Sequence, residues 1–287
     1  MTLRLAVPNK GRLNERSIEI LKRAGLEIED SKERKLYAAV KNMDFEIMFL
    51  RAQDIVRFVH SGAVDVGITG RDLVLESGLG VRIVESFNYG YCRLSVAAPE
   101  SRGIHSIDDV MDGAIVATSF PNLARQFFES RSKNVEITVV SGAAEVTPHI
   151  GVADLIVDLV SSGSTLKTNR LTEIATIMES TAVLIANEGS IRDKGDKIQE
   201  LAEGLKSVID AENKKYLMAD VPRAALEEIR SFLPGIAGPT VMSIMGREDC
   251  VAIHVVVDND RIFESVTRLK RLGATGILIV PIDRMVP

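Results

Sequence analysis

His60 opens the run HSGAVDVGIT, and 89 residues later His149 opens HIGVADLIVD, a run of the same shape: glycine two residues on, aspartate five residues on, then an apolar stretch. Each apolar stretch reads as a buried strand. A strand–loop–helix unit stands ahead of each. Leu3 to Pro8 reads as a strand, Asn9-Lys10-Gly11-Arg12 as its loop, and Ile18, Leu21 and Leu26 as one face of a helix that stops near Gly25. Ala114 to Ala117, the loop from Thr118 to Asn122 and the helix LARQFFESR repeat that order, and VEITVV adds a strand. Pro8-Asn9 matches Pro121-Asn122 at a spacing of 113, and the excess of 24 residues is close to the length of a hairpin expected around Lys41-Asn42, between residues 34 and 50. A short helix is expected from Gln53. Two similar α/β lobes follow from this repetition, with ligand in the cleft beyond the carboxyl ends of the strands.

The rest of the chain narrows the classes open to it. Its 287 residues suffice for roughly two domains of about 150 residues, and 46% hydrophobic residues is ordinary for a globular protein. A net charge of −5 and a pI near 5.6 provide no global basic field for nucleic acid or an anionic membrane. The apolar run Leu3–Val7 is too short for a signal-peptide core or a membrane span, so a cytoplasmic protein is expected. Cys92 and Cys250 stand apart, and each reads as a small buried apolar residue rather than a nucleophile. His60, His105, His149 and His254 form no zinc-binding spacing.

Beyond the strand Val183–Ala186 the composition changes. NEGSIRDKGDK reads as a polar connector, and Ile198, Leu201, Leu205, Val208 and Ile209 mark an amphipathic helix after it. Strand Lys215–Met218, helix Pro222–Phe232, strands Thr240–Met245 and Cys250–Val257, helix Ile262–Leu272 and strand Gly276–Val280 complete a βαββαβ, ferredoxin-like order.

The apolar strand Leu155–Val160 runs into Ser161-Ser162-Gly163-Ser164-Thr165, the turn into a helix beginning near Leu166. Free amides, a glycine able to take left-handed angles and four hydroxyls suit a phosphate dianion. Asp158, just ahead, suits ribose hydroxyls or the water shell of a magnesium ion. A plain solvated turn with a helix cap fits the same letters. Type I phosphoribosyltransferases use a similar order with two adjacent acids; here the acids are split as Asp154 and Asp158, and no Walker A loop occurs.

Lys10 and Arg12 flank Gly11 at the end of the first strand, with Arg16 one turn on, and Arg51 ends another strand. Cations there can neutralise a departing pyrophosphate. Surface charges at a helix start are the alternative, above all for Arg16. Asn122, in a loop that reads as an adenine or ribose contact or as a helix cap, and Glu145 are further cleft candidates; Arg71 and Asp72 read equally as a surface turn.

LAVPNKGRL, VDVGITGRDLV, IVATSFPNLAR, SGAAEVTPHIGVADLIVDLVSSGSTLKTNRL, KYLMADVPRAAL and GPTVM, in this order across nearly the whole chain, together resemble the long-form ATP phosphoribosyltransferases. The resemblance implies an α/β, two-lobed body like type II periplasmic-binding proteins and a C-terminal ferredoxin-like (ACT-like) α+β domain. It implies a first lobe of residues 1–90 and 180–211, a second of 91–179 and a regulatory domain of 212–287. Carried over, the 5′-phosphate loop falls on Ser161, Ser162, Gly163, Ser164 and Thr165, with Asp158 toward the ribose and Asp154 in the same donor site. Lys10, Gly11, Arg12, Arg16 and Arg51 fall around ATP and pyrophosphate, and Asp220 and Thr240 on the histidine effector. The implied reaction joins N1 of the ATP adenine to C1 of phosphoribosyl pyrophosphate (PRPP), with Mg2+ as cofactor, histidine as inhibitor, and dimers assembling into hexamers. A cytosolic two-lobed sensor of small anions or amino acids is the rival; it has no use for Lys10, Arg12 and Asp158 together.

Overall fold

The computed structural model describes residues 1–29, 36–236 and 238–286, and the Arg12 side chain lies outside the described set. In chain order the first lobe holds β1 (Leu3–Pro8), α1 (Arg12–Arg23), β2 (Tyr37–Ala39), β3 (Phe45–Leu50), α2 (Ala52–His60), β4 (Val66–Gly70), α3 (Arg71–Ser77) and β5 (Arg82–Ser86). The chain then builds a second sheet from β6 (Cys92–Pro99), β7 (Ala114–Thr118), α4 (Pro121–Glu129), β8 (Val135–Val139), β9 (Leu155–Val160), α5 (Ser164–Thr168) and β10 (Leu171–Ser180). It returns to the first sheet as β11 (Ala182–Ala186). The hairpin β2–β3 lies where the spacing predicts, its expected residues 34 and 35 being outside the described set.

The repetition in sequence is a repetition in topology. The first sheet runs β2-β3-β1-β4-β11-β5 and the second β10-β6-β9-β7-β8, so without β2 the two orders are the same. In each, three parallel strands carry the cleft loops, and one reversed strand, β11 or β6, joins them to an edge strand by antiparallel pairing on both its sides. Asp65 and Asp154 do the same work at the start of β4 and β9. Asp65 N donates to Arg4 O at 3.0 Å while its carboxylate accepts from Arg4 N at 2.7 Å; Asp154 N donates to Ile115 O at 2.8 Å while its carboxylate accepts from Ile115 N at 2.9 Å. His60 reaches Gly80 O and His149 reaches Asn169 O, again at matching positions. The expected match of Pro8 with Pro121 is out of register: Leu5 pairs with Val66 as Val116 pairs with Leu155, a spacing of 111 that sets Pro8 against Ser119.

Each lobe buries its own core. Ala6, Ile55, Val56, Val59, Val183 and Ile185 fill the first, where α2 lies so close to β4 that a Cβ on Gly67 would stand 2.4 Å from Ile55 Cγ2. Leu94, Val96, Val116, Phe127, Phe128 and Val157 fill the second. Burial on this scale, at roughly 25 cal/mol per Å2 of apolar surface, is the main favourable term holding each sheet to its helices.

The long helix α6 (Glu188–Ala211) starts ten residues earlier than its apolar periodicity predicts. Asn187 is the reason: its side-chain oxygen accepts from the amides of Gly189 at 2.8 Å and Ser190 at 3.1 Å, so the polar run becomes the first turns of the helix. Lys194 breaks the helical angles with φ −136° while its ammonium reaches Asp65 at 2.7 Å and Thr2 O at 2.8 Å.

The chain divides into two compact units, residues 1–22 with 26–202 and residues 23–25 with 203–287. The second unit carries the tail sheet. It contains β12 (Lys214–Pro222), α7 (Leu226–Phe232), β13 (Thr240–Ile244), β14 (Arg247–Asp258), α8 (Ile262–Arg271) and β15 (Thr275–Pro281), in the antiparallel order β13-β14-β12-β15. Leu217, Ala219, Val221, Val251, Ile253, Val255, Ile229 and Leu269 make its core. Pro222 ends β12 instead of opening the helix, which follows a 3-10 turn at Arg223–Ala225, because residue 222 still pairs with Cys250. Among the described residues no helix is long and apolar enough to cross a membrane.

Candidate active site

The loop after β9 is pinned at both ends by apolar anchors. Val160 and Leu166 are buried with Ala97, Ala144, Ile156 and Leu171, which leaves Ser161, Ser162, Ser164 and Thr165 at the surface between them. Gly163 turns the chain with φ +76°, a region that costs other residues about 1–2 kcal/mol. Ser162 Oγ lies 3.0 Å from Ser164 Oγ and accepts weakly from Ser164 N at 3.4 Å. The ladder of α5 begins only with Lys167 N donating to Gly163 O at 3.1 Å, so the amides of Thr165 and Leu166 have no acceptor within the helix. A pocket of about 350 Å3 opens over this turn, lined also by Asp158, Glu145 and Ala143.

Asp158 and Glu145 are the two carboxylates of that pocket. Burial pushes the Asp158 carboxyl above its ordinary value; the Leu159 amide, donating at 2.7 Å, pulls back, and the Glu145 charge adds to the rise. Such a carboxyl calls for a hydroxyl or a cation. Magnesium carried on substrate phosphates needs only one or two protein carboxylates, and this pair fits it, although no group of three or more metal-ligating side chains occurs among the described residues.

The cationic loops lie side by side in the first lobe. Asn9 N donates to Leu50 O at 2.7 Å, which ties the loop carrying Lys10, Gly11 and Arg12 to the one carrying Arg51. Gly11 takes φ +80°, and Lys10 and Arg51 are exposed. Arg16 pairs with Glu19 at 2.6 Å one turn into α1.

Comparison with known proteins identifies the scaffold. The family model HisG, ATP phosphoribosyltransferase, matches residues 51–207, and the model of the HisG C-terminal domain matches 211–284. The chain is 43% identical over 287 residues to the ATP phosphoribosyltransferase of Methanothermobacter thermautotrophicus, covering all of both chains. It is 47% identical over 284 residues to that of Methanocaldococcus jannaschii, covering 98% of each.

The chain belongs to the ATP phosphoribosyltransferase family.

A solved structure of the ATP phosphoribosyltransferase HisG:HisZ complex from Thermotoga maritima superposes with a TM-score of 0.63 at 29% identity, covering 71% of this chain and 99% of that one. The enzyme is thus a phosphoribosyltransferase of histidine biosynthesis, joining N1 of the ATP adenine to C1 of phosphoribosyl pyrophosphate with release of pyrophosphate. Its body has the two-lobed α/β fold of that structure, followed by a domain of ferredoxin-like strand order that the HisG C-terminal model matches.

Two expected site residues of the enzyme have other duties. Asp154 stands at the start of β9, a whole strand of six residues, roughly 20 Å at ~3.3 Å each, from the serine loop. It is engaged there by Arg102 and the Ile115 amide. Asn122 is bonded across the lobes to Glu76. Thr118 spends its hydroxyl on the Phe120 amide at 2.9 Å. Asp220 and Thr240 share one face of the tail sheet, the face opposite the core residues Leu217, Ala219 and Val221; Asp220 pairs with Ala252, and Thr240 with His254.

The sequence alone did not single out the cluster where both lobe crossings meet. Asp72 is 4% exposed, and Ser180 Oγ donates to its carboxylate at 2.5 Å while accepting from Asp72 N at 3.0 Å. Burial raises the Asp72 carboxyl, and it pushes the neighbouring Cys92 thiol up to about 11. Asp72, which reads equally as part of a surface turn, is buried two residues after β4.

Proposed function

We propose that the turn Ser161–Thr165 holds the 5′-phosphate of the sugar donor and that Lys10, Arg12 and Arg51 receive ATP phosphates and the departing pyrophosphate. One observation carries this reading: a hydroxyl-lined turn with a left-handed glycine and unspent amides opens on a pocket of about 350 Å3 that also contains an acid. Asp158 takes the ribose hydroxyls, accepting from them with the oxygen that the Leu159 amide leaves free. Glu145 serves the donor pocket beside Asp158, and Arg16, one turn into α1, adds to the cationic region.

The lone pair of adenine N1 forms the new bond to C1 of the ribose as the bond from C1 to the pyrophosphate oxygen breaks, and that electron pair leaves with the pyrophosphate. Positive charge develops on the sugar, so the residues chiefly align the reactants and hold the leaving anion. Magnesium, when bound, shares the neutralisation of the pyrophosphate oxygens. Asp158 and Glu145 are the residues on this chain that would face it. Lys10 and Arg51 supply fixed positive charge from the other lobe.

The tail takes histidine as a feedback inhibitor at Asp220 and Thr240. Lobes of 1–90 with 180–211 and of 91–179, a regulatory domain from 212, a cytoplasmic location and assembly through dimers to hexamers complete the proposal. The test is release of pyrophosphate from ATP and phosphoribosyl pyrophosphate. Turnover that requires magnesium and falls on adding histidine is expected. Turnover without magnesium would remove the metal, and indifference to histidine would remove the effector site.

A further inference from the structure

Helix α4 begins without a cap of its own. Its N-cap residue is Phe120, a buried ring that accepts no hydrogen bond, and Pro121 in the first position has no amide. The next two amides find their acceptor in the other lobe. Asn122 N donates to Glu76 Oε1 and Leu123 N to Glu76 Oε2, both at 2.9 Å, and the Asn122 side chain donates to Glu76 O at 3.0 Å.

Glu76 rides on α3, which is tied to the lobe crossing at its other end: Arg71 N donates to Thr181 O at 3.0 Å, and Asp72 is locked to Ser180. Leu73, between them, packs against the cores of both lobes. On the far side, α4 starts just after β7, and Thr118 at the end of β7 pairs with Val157, the residue before Asp158. The Glu76 contact therefore joins the first lobe to the strand ends that carry the serine turn.

We propose that Glu76 is a positioning residue for the transfer, which by capping α4 across the lobes sets where the cationic loops stand relative to the phosphate turn. This rests on the assignment of donor and leaving group made above. The carboxylate is suited to the task because its two oxygens meet two amides at the positive end of a helix. Glutamine has one acceptor and would turn an NH2 toward the second amide. The turn and Asp158, which hold the donor's sugar phosphate, lie wholly in the second lobe, so loss of the cap leaves that ground-state grip in place and disturbs chiefly the alignment of ATP and of the leaving pyrophosphate with the first-lobe cations.

Full-length wild type, Glu76→Gln and Glu76→Asp are compared by steady-state kinetics and by calorimetric binding of phosphoribosyl pyrophosphate alone. Glu76→Gln is expected to lower kcat on the order of tenfold or more, because small misplacements of reacting groups are costly. Donor affinity should stay within about twofold, and Glu76→Asp should recover part of the rate. A kcat for Glu76→Gln equal to wild type, or a loss matched by an equal loss of donor affinity, overturns the proposal. A second measurement needs no substrate: pulsed electron-spin distances between labels at positions 57 and 136, in the two lobes, should broaden in Glu76→Gln. An unchanged distribution would count against the cap, whereas a wild type that releases no pyrophosphate would count against the functional assignment alone.

Discussion

Asp65 is held by the Arg4 amide, the Ser190 hydroxyl at 2.7 Å and the Lys194 ammonium at 2.7 Å. Burial pushes its carboxyl up, but these three partners outweigh burial and the group ends below its ordinary value. A carboxyl with a lowered folded pKa stabilises the fold above its unfolded pKa of about 3.9 and loses that contribution as pH falls through the folded value. The side chains of Lys194 and Asp65 are only 12% and 6% exposed, so Lys194→Ala strands a buried charge. A loss of about 3–5 kcal/mol at neutral pH is expected. Chemical denaturation at pH 7 and near pH 4 checks it: the gap between wild type and variant should narrow in acid, where the stranded Asp65 of Lys194→Ala takes up a proton that the paired Asp65 of the wild type does not, and an equal gap at both would refute the ion-pair account. The same residue shows what was legible at this scale. The 89-residue spacing already aligns Asp154 with Asp65, at the entry of each strand and away from the loops that follow it, and so marks Asp154 as a strand-start clamp. Counting Asp154 with Asp158 as a split acid pair overlooked that match. Glu76 had no such signal, because its partners are backbone amides that no side-chain pattern records.

Elements were readable where one period ran unbroken. β1, β4, β7, β8 and β9 stand where apolar runs predict them, as do the strands of the tail. β5, β6 and β10 went unread. The pairing of β10 with β6 slips twice, between Glu173 and Ala175 and between Thr176 and Met178, and each bulge turns the alternation over. The serine turn was legible because its chemistry is local. Its prediction is equally local. Gly163 has φ +76° and its nearest neighbour, Val160 Cγ1, would lie 4.0 Å from an added Cβ, so Gly163→Ala meets backbone strain and no clash. A stability loss of about 1–2 kcal/mol is expected. Donor affinity should fall by more than that strain alone, since the amides of the turn must rotate to relieve it. Gly67→Ala is the contrast: its Cβ would meet Ile55 at 2.4 Å, and the change should destabilise the first lobe while leaving donor affinity intact. Thermal denaturation beside donor calorimetry separates the two, and a Gly163→Ala protein with wild-type affinity would take the turn out of the site.

At the scale of the catalytic unit, the two sheets are built by exchange. Each borrows an inner strand from beyond a crossing: β6 enters the second sheet between β10 and β9, and β11 returns to the first between β4 and β5. The repeat in sequence announced two lobes, but no local pattern tells that residues 182–186 complete a sheet begun at Leu3, because their neighbours in the chain, 171–180, belong to the other sheet. Ile185 tests this. It is fully buried, pairs with Gly67 on β4 and Ile83 on β5, and packs in the core of Ala6, Ile55 and Val59. Ile185→Ala should cost about 2–5 kcal/mol. Hydrogen exchange should place the loss in residues 66–86, about a hundred positions upstream, while β10, ending two residues before β11, keeps most of its protection. Loss of protection centred on β10 instead would mean that the return crossing does not close the first sheet, and with it would go the shared strand order that makes the two lobes equivalent.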